Sequence, residues 1–594
     1  MVDATKSSGM SRGAETSGRM TLVLIAFAVA ALLVAFDVMD GRFYYRDIDD
    51  LLRSLQIRTL LDSGGWYDLT IPAIRMPEAY VSPWSRLVDL PYVVQTLLTQ
   101  PFLGRERALA FAFHAWQPVM LAGFCWLAVA TMQRIAGEAG LVRPVHVIAA
   151  FVMMPLSLWE FSPGRIDHHN TQLLLLMLAL YGVSLWSAAG GVLSGLACVL
   201  SVAVGLELAP VVLVVMLGVG AAWVFGLAGS GPVQRALSAS VAVLTPAAAL
   251  LLIGPGEMFA TRCDAFSAPY LAALTGYGVI SLAAARFVRE ARPVARLAAV
   301  VVPGGLLALL LAFAFPGCLR GPYQMIDAQL HALWLDRVQQ EKTFLDFYAA
   351  GETIKVVCLG LIAVVAVAAL PLVQRRSRQG EAAVAIIYAV AVLLFLLTLL
   401  QTRFIRFPGA CVLLFLPVVW AEIARRNVAV ARMAAVATLS VLVGGYGLYR
   451  LVPTRPFRPD VVDYVTFDTC TGVDVSPLAG LPAGRIIAPS SLGLDIAGRL
   501  PEGMSVGAIS FHRAAPGLKR MFDLFVSTES AVRREAAAPF DYVAVCRYPV
   551  VDDIPNDTLY ATLARGGDWP GLVRIVDSPK DGFQFFRIDH RALR

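Results

Sequence analysis

The sequence predicts a polytopic α-helical membrane protein with a small C-terminal α/β domain. Three observations carry this. Of 594 residues, 58% are apolar and 15% charged, where soluble domains carry roughly 25% charged residues; the mean hydropathy is +0.67. Charge is unevenly spread: residues 453–594 hold 16 basic and 17 acidic groups, nearly twice the density of the first 452. The apolar residues fall into runs of about 20, the length that crosses a bilayer as a helix. An ordinary soluble enzyme and a disordered chain are thereby excluded. The net charge of +6 forms no stripe, which excludes a nucleic-acid binder.

Thirteen spans are read, near 20–38, 108–133, 144–160, 170–187, 190–206, 208–228, 237–254, 270–286, 297–316, 354–373, 383–401, 408–424 and 431–450. Between 188 and 228 the chain is apolar throughout, so that division rests on length. No short apolar core with a small-residue cleavage site opens the chain, and the first span reads as a retained helix. Residues 1–19 are the N-terminal tail, 20–452 the membrane domain and 453–594 the soluble domain. Pro453, Pro456 and Pro459 mark the junction, since proline cannot continue a helix.

Arg134 and Arg143, Arg235, Arg286 to Arg296, Arg375 to Arg378, and Arg425 to Arg432 fall in alternate loops, on the side of Lys6, Arg12 and Arg19. By the positive-inside rule that side is the cytoplasm. Segments 39–107, 161–169, 255–269, 317–353 and the C-terminal domain then lie outside, as in a bacterial-type inner membrane with the C-terminal domain periplasmic. In that domain 485–488 and 542–546 read as buried strands, and 514–536 suits helices. Cys263, Cys318, Cys470 and Cys546 all fall outside. They form either two disulfides, Cys263–Cys318 and Cys470–Cys546, or four buried thiols.

Polar chemistry gathers in the outer segments. In the first, Asp47, Asp50 and Arg53 share a helical face, and 47–62 has the pattern of an amphipathic helix at the membrane surface. Trp66-Tyr67-Asp68 and Trp84-Ser85-Arg86 follow. The second reads Ser162-Pro163-Gly164-Arg165-Ile166-Asp167-His168-His169-Asn170. Carboxylate and imidazole at a helix mouth suit a divalent cation or acid–base work; Asp167 or Asn170 as a helix cap is the alternative. Gln401-Thr402-Arg403-Phe404-Ile405-Arg406 is a short outer loop. Its arginines suit phosphate or snorkel to headgroups. The long loop 317–353 carries Asp327, His331, Asp336, Arg337, Glu341 and Lys342, as a lid or clamp would. Glu207 lies in or near a span, where a carboxylate is a functional candidate or a helix cap.

In this order the pieces resemble the GT-C glycosyltransferases, most of all the catalytic subunit of oligosaccharyltransferase. The resemblance implies thirteen spans, an outer C-terminal domain and a polyprenyl-linked donor. The family's first outer loop bears a catalytic Asp followed six residues later by Arg, which Asp47 and Arg53 match; Arg86 matches its later Gly-Arg loosely. Its second outer loop carries an acidic metal-binding motif, where Asp167 matches best and His169 takes the place of a second carboxylate, with His168 between. Arg403 or Arg406 corresponds to the Arg that contacts the lipid pyrophosphate, and Glu341 to a Glu of the fifth outer loop. The implied cofactor is Mg²⁺ or Mn²⁺, with Asp47, Asp167 and His169 as ligands.

One departure is plain. The Trp-Trp-Asp motif that reads the acceptor peptide is missing from 453–594, so transfer to a sequon asparagine is not supported. That domain also has no Gly-x-Gly-x-x-Gly or P-loop, which disfavours a nucleotide-sugar donor. The reading is a polyprenyl-(pyro)phosphate-sugar-dependent transferase acting on the outer face, on a glycan, lipid or protein acceptor. Its rivals are a metal-independent transferase using a polyprenyl monophosphate, and a lipid-linked sugar flippase; the paired repeats common in transporters are not seen.

Overall fold

The computed structural model describes residues 4–40, 47–137, 141–430, 460–467, 472–547 and 557–593, together with 432, 433, 436, 440, 444 and 470. The chain divides into two compact units. One comprises 1–45, 84–321 and 342–455, and the other 46–83, 322–341 and 456–594.

The first unit is helical. Nine of its described helices are long and apolar enough to cross a membrane, and the pair Pro144–Val152 and Pro155–Phe161, bent by 73°, makes a tenth if it is one span. The bend falls where Pro155 opens the second helix. His169–Leu185 and Ala188–Val204 coincide with expected spans but are 17 residues each. The expected span 431–450 and the proline junction lie largely outside the described residues. Ala4–Asp40 is one helix, so the expected N-terminal tail continues into the first span.

Small residues let these helices close up, as membrane packing requires. A Cβ on Gly182 would stand 2.5 Å from the Ser194 hydroxyl, and one on Gly195 would stand 2.6 Å from the Ser240 Cβ. Helix Ala188–Val204 is thereby seated between His169–Leu185 and Ser230–Leu252. At the other extreme, Pro293–Ala314 buries none of its residues, as suits an apolar helix facing lipid.

Loops expected on one membrane side meet at one end of this unit. The Thr402 N–H donates to the Lys342 carbonyl at 2.9 Å, Arg86 N–H to the Leu252 carbonyl, and the Ser85 hydroxyl to the Ala203 carbonyl. Cys263 and Cys318 are disulfide-bonded.

The second unit is built on a seven-stranded sheet: β1 (Thr70–Arg75), β2 (Ala79–Val81), β3 (Gly484–Ile487), β4 (Met504–Val506), β5 (Tyr542–Cys546), β6 (Leu572–Asp577) and β7 (Phe583–Ile588), in the order β2-β1-β4-β3-β5-β7-β6. The β1-β4-β3-β5 pairings are parallel; β2, β7 and β6 add antiparallel. The expected strands at 485–488 and 542–546 are β3 and β5. Every residue of β5 is buried, as a central parallel strand covered on both faces should be, whereas edge strand β6 alternates. Helices Ala515–Phe525 and Ser530–Ala537 occupy the expected 514–536, with Leu518, Met521 and Phe522 in the core. Cys470 is joined to Cys546.

Two segments read as loops belong to this sheet unit. Residues 70–81 supply β1 and β2. From 317–353, the stretch 322–341 inserts Ile326, Leu330, Trp334 and Leu335 into the core beside Leu518 and Phe522. Four buried apolar side chains make 322–341 an anchored element of this unit, where the sequence read 317–353 as one long loop.

Candidate active site

In the first unit the bent pair ends at Phe161, and the chain must reverse before His169. Gly164 makes the turn at φ +89°, a left-handed conformation that glycine adopts freely. Polar side chains of neighbouring helices then pin the loop. Gln117 donates to the Arg165 carbonyl at 2.6 Å, Asn170 donates to the same carbonyl at 3.0 Å, and the Gly164 N–H donates to the Phe113 carbonyl. Asn170 is thus turned onto the loop, besides accepting from the Thr171 N–H at 2.7 Å.

The pinned loop delivers Asp167, His168 and His169, whose ligating atoms all lie within 4.8 Å of one another. Asp167 Oδ1 accepts from the His168 N–H and meets its ring nitrogen Nδ1; Oδ2 lies 3.2 Å from His169 Nε2. The cap reading of Asp167 does not hold: helix His169–Leu185 has His168 as its N-cap with no side-chain cap bond, and one Asp167 oxygen accepts at His168 while the other faces the His169 imidazole. On its far side His169 Nδ1 meets Gln172 Oε1 at 3.1 Å and Glu207 Oε2 at 3.2 Å. The Trp84 ring lies 5.8 Å from that of His168. Burial opposes the charge on Asp167, but His168, His169 and Arg165 outweigh it and hold the carboxyl well below the usual carboxylate range. Burial pushes the His168 imidazole below its ordinary value.

Beside this group lies an ion-pair chain. Glu160, 5% exposed, takes Arg165 at 3.0 Å on one oxygen and Arg406 at 3.2 Å on the other. Arg406 is held from behind by the Ser157 hydroxyl, which donates to its carbonyl at 2.5 Å. Arg403 and Arg406 belong to the helical turn Thr402–Arg406, and both lie within electrostatic reach of Glu207. A buried carboxylate bridging two guanidiniums corrects the headgroup-anchor reading for Arg406.

The structure brings together Asp167, His168, His169, Arg403 and Arg406. Arg86 belongs to the same unit, paired with Asp89 at 3.0 Å with both side chains buried. Asp47, Asp50, Arg53 and Glu341 belong to the other unit. There Asp47 caps helix Ile48–Ser63 in a capping box with Asp50: the Ile48 N–H donates to Asp47 at 2.6 Å, and the Asp47 N–H to Asp50 at 3.1 Å. The face bearing Asp50, Arg53 and Gln56 is buried, and the helix packs on Ser490–Ala497. The helix is thus packed into this unit, in place of the amphipathic surface helix that the pattern of 47–62 suggested. Glu341 ends the single turn Gln339–Glu341. Sequence reasoning passed over Glu160, Gln172 and the partnership of Glu207 with His169. A carboxylate inside an apolar run, Leu158-Trp159-Glu160-Phe161, is the signal that marks Glu160.

Buried donors and acceptors that lack hydrogen bonds recur here: His169 Nε2, Glu207 Oε1, Gln172 Nε2 and Arg406 Nε. Native proteins seldom leave such atoms unsatisfied. One carboxylate and two imidazoles fit a divalent transition ion. The 3.2 Å between Asp167 and His169 is about the separation of adjacent ligands bonded at roughly 2.0–2.2 Å.

Solved structures share this fold. The chain is similar to the archaeal oligosaccharyltransferase AglB from Archaeoglobus fulgidus, solved with an inhibitory peptide and a dolichol-phosphate: TM-score 0.64 and 13% identity, over 96% of this chain and 74% of that one. The same enzyme tethered to an acceptor peptide containing the NVT sequon matches at TM-score 0.63 and 13% identity, over the same shares. Its complex with Zn and sulfate matches at 0.57 and 14%, over 95% and 72%. No family model matches the chain, and no curated protein matches it by sequence. The family resemblance read from the sequence holds for the fold.

Proposed function

We infer that the chain is a glycosyltransferase that takes a sugar or glycan from a polyprenyl-(pyro)phosphate carrier at the outer face of the inner membrane. The observation that carries this is the buried group of Asp167, His169, Glu207 and Arg406, in which His169 Nε2, Glu207 Oε1 and Arg406 Nε lack hydrogen bonds. The solved neighbours add that such a fold accommodates a dolichol-phosphate, and in another crystal Zn and sulfate.

In this reading Asp167 and His169, with His168 beside them, would hold Mn²⁺, of the two implied cations the transition ion that this ligand set fits. When bound, the cation neutralises charge that develops on the departing phosphate. Arg406 has five N–H donors in a fixed fork, and Glu160 engages only one edge of it. The remaining donors suit phosphate oxygens, for which a charge-assisted hydrogen bond contributes about 1.5–3 kcal/mol. Arg403 adds positive charge at the same turn. Asp47 keeps the acid–base role implied by its spacing to Arg53. The acceptor is a glycan, lipid or protein.

Lipid extracts of a deletion strain test this. An accumulated polyprenyl-linked glycan is expected, cleared by the wild-type gene and retained with Asp167→Asn. Extracts indistinguishable from wild type would remove the transferase reading, and transfer insensitive to EDTA would favour the metal-independent alternative.

A further inference from the structure

We propose that Glu207 is a positioning residue for a divalent cation held by His169, and that its carboxylate decides which ring nitrogen of His169 carries the proton. The proposal deepens the reading above and rests on it.

An imidazole ligates through the nitrogen that lacks a proton, so a ligating histidine needs an acceptor at its other nitrogen. His169 has one built in. Its Nδ1 lies 3.2 Å from Glu207 Oε2 and 3.1 Å from Gln172 Oε1. An ionised carboxylate can only accept, so with Glu207 present the proton stays on Nδ1, whichever way the Gln172 amide points. The Nε2 lone pair is then left facing Asp167 Oδ2 at 3.2 Å, and Nε2 makes no hydrogen bond. Two lone-pair atoms this close in a buried site repel unless a proton or a metal cation lies between them, and with Nδ1 already protonated against Glu207 it is Nε2 that is offered to either.

The backbone places the carboxylate for this. Glu207 lies in the single turn Leu206–Leu208, at the break between helices Ala188–Val204 and Ala209–Val224. The break turns an otherwise apolar run inward at one residue. Gly205, just before it, leaves room: a Cβ there would stand 3.3 Å from the Gln172 amide and 3.6 Å from the His168 ring. Glu207 is a costly residue to bury this way if its only task were to end a helix.

The test is Mn²⁺ binding to the full chain in detergent micelles, read by electron paramagnetic resonance of free Mn²⁺. Wild type should bind one Mn²⁺, and His169→Ala should abolish binding. Glu207→Gln should weaken it 10–100-fold, the usual loss when a ligand's outer partner is removed. If Glu207→Gln does not fold, Glu207→Asp decides: a tenfold loss supports the proposal, and unchanged affinity overturns it. Glu207→Gln binding as tightly as wild type overturns the proposal and leaves the metal reading standing. Wild type that binds no Mn²⁺ removes the metal reading itself.

Discussion

Asp47 carries two assignments that one substitution series separates. As a cap it accepts the Ile48 N–H, a service Asn performs equally well, whereas Ala costs about 1 kcal/mol. As an acid–base group it needs ionisable oxygens, which Asn lacks. Asp47→Asn is expected to accumulate the lipid-linked donor while melting like wild type; Asp47→Ala is expected to accumulate it and also to melt lower. Wild-type lipid extracts from Asp47→Asn would leave the capping box as its whole role. At this scale the sequence revealed residue types better than partnerships. Asp167, His169 and Arg406 stand out as polar groups among apolar ones. Glu160 stands out in the same way, but its meaning lies in Arg406, a residue far along the chain that only tertiary packing brings to 3.2 Å.

Elements whose signal is local were legible, and those whose signal is a distant partner were not. The helical spans, β3, β5 and the two helices after β4 follow from runs and periodicity. Residues 322–341 look like a polar loop because Asp327, His331, Asp336, Arg337 and Glu341 interrupt their apolar residues, and only the core they enter shows why Leu330 and Trp334 are there. That insertion is tied down by charge. Asp327 caps Ala328–Leu333, and Lys519 approaches its carboxylate at 2.8 Å. The Leu330 N–H, then Lys519, hold the Asp327 carboxyl below its ordinary range. The native value lies under the unfolded one of about 3.9. The stabilisation is therefore fully present above that pH and is lost as pH falls through the native value. Both side chains are nearly half exposed, so it amounts to about 1 kcal/mol or less. Asp327→Asn should melt slightly below wild type at pH 7, with the gap starting to narrow as pH falls below about 5 and narrowing on through the lowered native value. A gap that does not narrow at all as the pH is lowered would mean that the charge is not its source.

For the whole molecule, the cysteines and the arginines bear on one question, which side of the membrane the second unit occupies. Bonded Cys263–Cys318 and Cys470–Cys546 are expected in an oxidising compartment, which the positive-inside reading puts opposite the arginine loops. Alkylating the denatured, unreduced chain should tag only Cys125, Cys198, Cys358 and Cys411. Alkaline phosphatase fused after residue 460 should be active. Eight tagged thiols with an inactive fusion would reverse the topology.

Strands β1 and β4 also set an order of events in biosynthesis. Ile74 lies in register with Val506, and everything between them, including most of the first unit, must leave the ribosome before that register can form. At roughly 5–20 residues per second, β1 and its hairpin partner β2 emerge about 20–90 s before the strand they pair with. For that interval they present an unpaired edge, which unprotected chains use for aggregation. Nascent chains stalled before residue 504 should therefore be the ones that quality-control proteases remove, and the ones that a holdase chaperone protects.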